Sequence, residues 1–411
     1  MEILRGFKDI LPDEIDRWHR LEKIARQTLE SFGYLEIRTP ILEKTELFAR
    51  GVGQATDIVE KEMYTFRDKS GESVTLRPEG TAGVVRAYID NRLDLAPYRK
   101  FYYIGPMFRY ERPQKGRLRQ FHQIGAEVFG VSNPIVDAEL VYLDLFMLNR
   151  LGIGDLRLEI NNIGCPECRP SYSKALKEYF ESHKESLCND CKRRLERNPL
   201  RILDCKNDTC KAISADAPTI GEFACKQCKE HYNGVKEKLN EMDIEFLENP
   251  HLVRGLDYYT RFVFEIITDK LGAQGTVSAG GRYDNLVEEL GGKPTPGVGF
   301  ASGCERIVEL MPSKQQPLFD YYIANMDVDS YAFYIARSLA EKTYRRVYVE
   351  YEKRSLKSMM KKADKMGINL VVIVGENERK QNSVIVKEMA HSRQYEEDLE
   401  SFIDKEVKRW L

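Results

Sequence analysis

Charge of one sign is what this 411-residue chain lacks: 63 basic and 65 acidic side chains leave a net charge of −2. That excludes a general basic field for nucleic acid, so any such contact must come from local patches. Long apolar runs are missing too. None approaches the length of a bilayer span, and the opening MEILRGFKDILPDE has no apolar signal-peptide core, so a cytoplasmic protein without a membrane partner is expected. Cysteine is nearly absent from the main body, since of nine only Cys304 lies outside the stretch from Cys165 to Cys228. Such crowding in a cytosolic chain points to metal or reduced thiols rather than a disulfide framework. From residue 320 onward there is neither a GxxxxGK(S/T) nor a GxGxxG phosphate loop, which argues against a nucleotide site there.

What is present is an ordinary globular composition, 42% hydrophobic and 31% charged, over a length that calls for two or three domains. Its informative centre is Arg99 to Gly130. Tyr102–Tyr110 and Leu118–Phe129 are rich in aromatic and β-branched residues and flank a charged segment holding Pro113 and Gly116, which predicts a hairpin. Alternation in its second strand puts Ile124, Ala126 and Val128 on a core face. Gln123, Gly125 and Glu127 fall on the other face, an amide and a carboxylate separated by a side-chain-free gap suited to a small polar ligand. Arg109, Arg112, Lys115, Arg117 and Arg119 supply cationic donors for phosphate across the turn. A solvated polar face remains the competing reading at this point.

Around the hairpin, Pro12–Phe32 reads as a helix ended by Gly33, and Tyr34–Thr39 as a strand stopped by Pro40. In VTLRPEGTAGVVRAYI a strand ends at Pro78 and a helix starts near Thr81. Thr81 could cap that helix with Glu79 at its positive end, or the two could offer a carboxylate and a hydroxyl to a ligand ammonium. A helix over Pro134–Asn149 and a strand over Leu156–Ile160 follow. The cysteines then come in pairs, Cys165 with Cys168, Cys188 with Cys191, Cys205 with Cys210 and Cys225 with Cys228, set among amphipathic helices. Two pairs make a tetrahedral zinc site, so four allow two sites; metal-free thiols are the alternative. Arg254 lies in the lead-in to a strand at Val263–Ile267, with Tyr259 at its start. Gly280 and Gly281 precede Tyr283, and a glycine-bearing strand runs into a helix carrying Arg306. Beyond a linker, strands and helices alternate as in a parallel-sheet α/β domain and close with a helix over Tyr395–Leu411.

Together these motifs resemble the class II histidyl-tRNA synthetase family, over essentially the whole chain. TPILE at Thr39–Glu43 is similar to the first class II motif, FRYERPQKGRLRQFHQ at Phe108–Gln123 to the second and GVGFASGCERI at Gly297–Ile307 to the third. RGLDYYT at Arg254–Thr260 and AGGRYD at Ala279–Asp284 resemble the two stretches particular to the histidine enzyme. The resemblance implies an α/β multidomain fold. Its catalytic core, over 1–164 and 249–314, is an antiparallel sheet flanked by helices; a helical cysteine-rich insertion spans 165–248, a linker 315–319, and a C-terminal α/β anticodon-binding domain 320–411. It further implies a cytoplasmic homodimer that joins L-histidine to tRNA(His) through histidyl-adenylate, with ATP and Mg²⁺.

By the same resemblance Glu79, Thr81 and Gln123 hold the histidine ammonium, Glu127 and Tyr259 bracket the imidazole, and Tyr283 lines the pocket. Arg109 and Arg306 bind ATP, and Arg254 is the cation beside the α-phosphate, so Arg254 and Arg109 are the catalytic pair. Gln114 meets the 5′ guanine of the tRNA. Lys192, Arg193, Arg194, Arg197 and Arg201 suit an acceptor-stem contact, and Cys304 and His122 are packing residues. The alternative is a non-catalytic, histidyl-synthetase-like regulatory subunit of ATP phosphoribosyltransferase. Such a protein typically lacks the C-terminal domain and alters the substrate motifs, whereas this chain keeps Arg109, Arg254, Arg306 and residues 320–411.

Overall fold

A computed structural model describes residues 1–53, 56–114, 116–312 and 317–410, side chains at 273 and 274 excepted. Lys115 of the expected cationic loop and residues 315 and 316 of the expected linker lie outside them. Two compact units result, Met1–Pro312 and Ser313–Leu411.

The first unit is built on an eight-stranded sheet. In spatial order it runs Leu35–Glu36, Lys100–Phe108, Gln120–Phe129, Gly297–Gly303, Thr276–Arg282, Thr260–Ile267, Arg157–Asn162 and Leu247–Glu248. The six inner strands pair antiparallel, and only the two-residue edge strands are parallel to their neighbours. The expected hairpin supplies its second and third strands, Lys100–Phe108 against Gln120–Phe129. Both faces of this sheet are covered. Ile124, Ala126 and Val128 join the larger core beneath helices Ile15–Ser31 and Pro134–Arg150, as alternation requires. Phe101, Tyr103, Phe129, Val263 and Tyr259 belong to a second core on the other face, under helix Thr81–Asp90.

Local chemistry explains the boundaries. Helix Ile15–Ser31 buries Trp18, Leu21, Ala25, Thr28 and Leu29 on one stripe and stops where Gly33 takes a φ of 82°, letting Tyr34 N–H reach back to the Leu29 carbonyl at 3.1 Å. At helix Thr81–Asp90 the cap is not Thr81. The Glu79 carboxylate accepts from the backbone N–H of Thr81 and of Ala82, both at 2.8 Å, because those are the free donors of the first turn. The Thr81 hydroxyl is thereby left for the pocket.

The cysteine-rich stretch forms helices around its own core, in which Tyr172, Leu176, Phe180, Leu195 and Ile202 pack with the cysteines. In the second unit a five-stranded sheet runs Val347–Val349, Tyr321–Asn325, Leu370–Val374, Ser383–Glu388 and Arg393–Asp398. Only its first three strands are parallel, so the expected parallel sheet is a mixed one. The expected Tyr395–Leu411 helix begins at Leu399: Arg393–Asp398 pairs residue for residue with Ser383–Glu388, as a charged edge strand that hydrophobic periodicity does not reveal. No helix among the described residues is long and apolar enough to cross a membrane.

Candidate active site

Glu127 sits near the C-terminal end of the hairpin's second strand, fully buried. Its cross-strand neighbour is Gly299, where a Cβ would collide with the carboxylate, so the glycine makes room for it. The Thr81 hydroxyl donates to Glu127 Oε1 at 2.7 Å, and the Tyr283 hydroxyl donates to Oε2. Burial is the main reason that the Glu127 carboxyl is pushed up to about 8; the two hydroxyls oppose the shift and the charge of Glu79 adds to it. Burial raises Glu79 too, against its two backbone donors and Arg109, and the Tyr258 hydroxyl stands 3.5 Å from its Oε2. Two carboxylates in one dry pocket call for a cation between them.

The gap at Gly125 is not open to a ligand. Tyr103, its partner in the register, fills it: a Cβ at Gly125 or at Gly80 would run into the Tyr103 ring. Parity points to Tyr103 once the strand pairing is known, so reading the second strand alone misses it. The Tyr103 hydroxyl and Gln123 Oε1 are buried with no hydrogen-bond partner among the described residues, and a polar ligand would satisfy such atoms. Tyr259 is buried alongside, its hydroxyl pushed up to about 12 by burial, with Arg254 opposing and Glu127 adding to the shift.

Next to this acidic pocket is a cationic one. Arg109 leaves the end of the first hairpin strand, donates from Nε to the Pro78 carbonyl at 2.7 Å and lies over the Phe121 ring. Arg254 is paired with Glu265, while its Nε is buried without a partner among the described residues. Arg306 donates to the carbonyls of Gly116 and Thr276, tying the hairpin loop to the sheet. Burial first, then the charges of Arg117, Arg109 and Arg254, pull Arg306 below the ordinary guanidinium value, and Glu111 works the other way. Arg109, Arg254 and Arg306 therefore converge, although they come from positions far apart in the sequence, and together they favour a polyanion.

Other expected residues fall elsewhere. Gln114 is exposed at the hairpin tip, bridged to Arg117. His122 lies edge-on to Trp18 and within 2.9 Å of Glu305, and Cys304 is buried in the larger core. The insertion's basic residues are already engaged: Arg194 by Asp57, Arg197 by Glu60, Arg201 by Asp257, Arg193 by Asp190 and Lys192 by Glu185. Three of these pairs fasten the insertion to the body, which leaves less free charge for a nucleic acid than the composition suggests.

The eight insertion cysteines collect into two groups, Cys165, Cys168, Cys225 and Cys228, and Cys188, Cys191, Cys205 and Cys210, with all sulfurs of a group within 4.8 Å of one another. In the first group the Sγ separations are 3.5 Å for Cys165–Cys168, 4.0 Å for Cys165–Cys225 and 3.8 Å for Cys168–Cys228. A tetrahedron with metal–sulfur bonds of about 2.3 Å has edges of roughly 3.8 Å. Backbone N–H groups point at sulfur in both, Cys225 to Cys168 at 3.1 Å and Cys188 to Cys210 at 3.3 Å, as thiolate ligands require.

A helix-flanked antiparallel sheet with a buried acidic pocket and converging arginines on one face, in one chain with a separate α/β unit, defines a class II aminoacyl-tRNA synthetase. Family models agree: histidyl-tRNA synthetase matches residues 6–307 and anticodon-binding domain residues 317–409. The histidine–tRNA ligase of Thermodesulfovibrio yellowstonii is 50% identical over 98% of this chain and 97% of its own, and that of Aquifex aeolicus 48% over 96% and 98%. The crystal structure of apo histidyl-tRNA synthetase from S. aureus covers 99% of this chain and all of its own, with 34% identity and a TM-score of 0.81. The chain belongs to the histidyl-tRNA synthetase family.

Proposed function

We propose that the two adjoining pockets hold the two reactants of amino-acid activation, and that the chain is a histidine–tRNA ligase. The observation that carries this reading is the convergence of Arg109, Arg254 and Arg306 beside the buried carboxylates Glu79 and Glu127. An amino acid's ammonium suits the carboxylates, and a nucleoside triphosphate suits the arginines. Glu79, Thr81 and Gln123 receive the ammonium; Glu127 and Tyr259 take the two ring nitrogens, one able to accept and the other to donate, with Tyr283 fixing Glu127. A carboxylate oxygen of histidine attacks the α-phosphorus of ATP, the bond to the β-phosphate bridge breaks, and pyrophosphate leaves with Mg²⁺. Arg109 and Arg254 stand at the α-phosphate, where charge grows in the transition state, and Arg306 serves adenine and the γ-phosphate. The terminal ribose hydroxyl of tRNA(His) then attacks the acyl carbon and AMP departs. Gln114 reaches the 5′ guanine, and the second unit reads the anticodon. No side chain acts as nucleophile.

ATP–pyrophosphate exchange tests the reading. L-Histidine should drive it, and exchange driven equally well by another amino acid, or none at all, would overturn the assignment. The regulatory-subunit alternative is less supported, because the curated ligases match over the full length and the anticodon-binding model matches the end of the chain.

Both cysteine groups have the donor set and spacing for zinc, which would act structurally, as a closed four-thiolate site does. The expected content is two zinc ions per chain by atomic emission, lost on chelation under denaturing conditions. Dimerisation through the Thr39–Glu43 motif is part of the same reading. Light scattering should give twice the 47.6 kDa of one chain, and a monomer at working concentration would contradict it. The working compartment is the cytoplasm.

A further inference from the structure

The first cysteine group is joined, through the residue that follows Cys168, to the backbone of Tyr259. Arg169 follows Cys168 directly and opens helix Arg169–Ser182. Its guanidinium turns away from the helix and donates to the backbone carbonyls of Asp257, at 3.2 Å, and Tyr259. The residues just before Cys165 grip the same strand: Ile163 N–H donates to the Arg261 carbonyl at 2.7 Å, and Arg261 N–H donates to the Gly164 carbonyl at 2.8 Å. What they hold is a strained position. Arg261 has a φ of 54°, a left-handed conformation that side-chain-bearing residues adopt only when their surroundings impose it, and here the register with the neighbouring strand slips between Gly281 and Arg282. That kink lies two residues beyond Tyr259. A second attachment runs from the other pair of cysteines, where Asn162 donates to the Cys228 carbonyl at 3.3 Å.

We propose that the Cys165, Cys168, Cys225 and Cys228 site, loaded with zinc, braces the histidine pocket, and that Arg169 is the positioning residue which carries this to Tyr259. The proposal rests on the zinc and histidine assignments made above and goes beyond them. With the four sulfurs held by one ion, the Ile163–Arg169 segment becomes a fixed abutment; without it the segment keeps its backbone bonds to Arg261 but loses the ion that joins Cys165 and Cys168 to Cys225 and Cys228, and the Arg261 kink can relax. Histidine affinity, not ATP affinity, is the quantity at stake. Since Arg169 touches backbone and no reactant, its effect is on binding geometry alone.

Calorimetric titration of the full-length protein with L-histidine, without ATP, tests this beside zinc analysis. Arg169→Met should keep both zinc ions and weaken histidine about tenfold or more, with the KM for ATP unchanged. Arg169→Lys, able to reach one carbonyl, should fall between Met and wild type. Cys165→Ser should lose one zinc and weaken histidine to a like degree, whereas Cys188→Ser should lose one zinc and leave histidine affinity within about twofold. Equal histidine affinity in wild type, Arg169→Met and Cys165→Ser, with zinc present in the wild type, overturns the brace and leaves the zinc assignment standing. Wild-type protein free of zinc overturns both, and wild type that binds no histidine overturns the functional reading instead. Should Cys165→Ser fail to fold, the Arg169 pair decides.

Discussion

Arg254→Ala is expected to lower histidine-dependent ATP–pyrophosphate exchange by about a hundredfold or more while leaving the thermal midpoint close to wild type. The effect is electrostatic. Bringing a carboxylate to a phosphate opposes two anions, and the charge on the phosphoryl oxygens grows as pyrophosphate leaves. A guanidinium already held in place by Glu265 answers that charge without reorganising solvent, and one such preorganised donor is worth on the order of 3 kcal/mol in the transition state. Removing it costs the fold little, because Glu265 keeps the Thr276 hydroxyl at 3.2 Å and is partly open to water. Lysine at 254 should restore only a fraction of the rate, since a point charge on a flexible stem cannot span the Glu265 contact and the anion together. Exchange within threefold of wild type in Arg254→Ala would remove Arg254 from the catalytic set.

How much of this arrangement was legible beforehand depends on which distances along the chain had to be known. Alternation in Gln120–Phe129 correctly separated Ile124, Ala126 and Val128 from Gln123 and Glu127, because strand parity is a local property. It misjudged Gly125, because what fills a glycine's gap comes from the neighbouring strand, and Tyr103 could be placed only with the register in hand. For Glu79 and Thr81 the sequence left capping and ligand contact both open, and the longer carboxylate satisfies the helix donors while the shorter hydroxyl reaches Glu127. Arg306, read alone, is one charge on a helix that follows a glycine-bearing strand. Only its closeness to Arg109 and Arg254, which come from other parts of the fold, makes it part of a phosphate-sized cation cluster. The cysteine spacings allowed two sites but not the pairing, in which first joins last across sixty residues while the middle pairs join each other.

Glu127→Gln should lower kcat/KM for histidine by about a hundredfold, with the KM for ATP nearly unchanged, as expected when one partner of a buried polar ligand is replaced by a group that cannot take its charge. The shape survives, since an amide in the same place still meets the Thr81 and Tyr283 hydroxyls. Proton counting gives the sharper check. The Glu127 carboxyl stands near 8 in the folded protein against 4.5 for an ordinary glutamate, so between those values the folded state holds a proton that the unfolded chain has given up. Stability of the ligand-free protein must then fall as pH rises through that window, with the favourable contribution lost above about 8, and the slope should be reduced in Glu127→Gln. Histidine reverses the local balance. A cation entering beside Glu79 and Glu127 draws the carboxyl back down, so at pH 7 binding should release up to one proton, seen as a dependence of the calorimetric enthalpy on the ionisation enthalpy of the buffer. Glu127→Gln has no such proton to release, and a wild-type enthalpy that is the same in every buffer would contradict the release of a proton from Glu127 on binding.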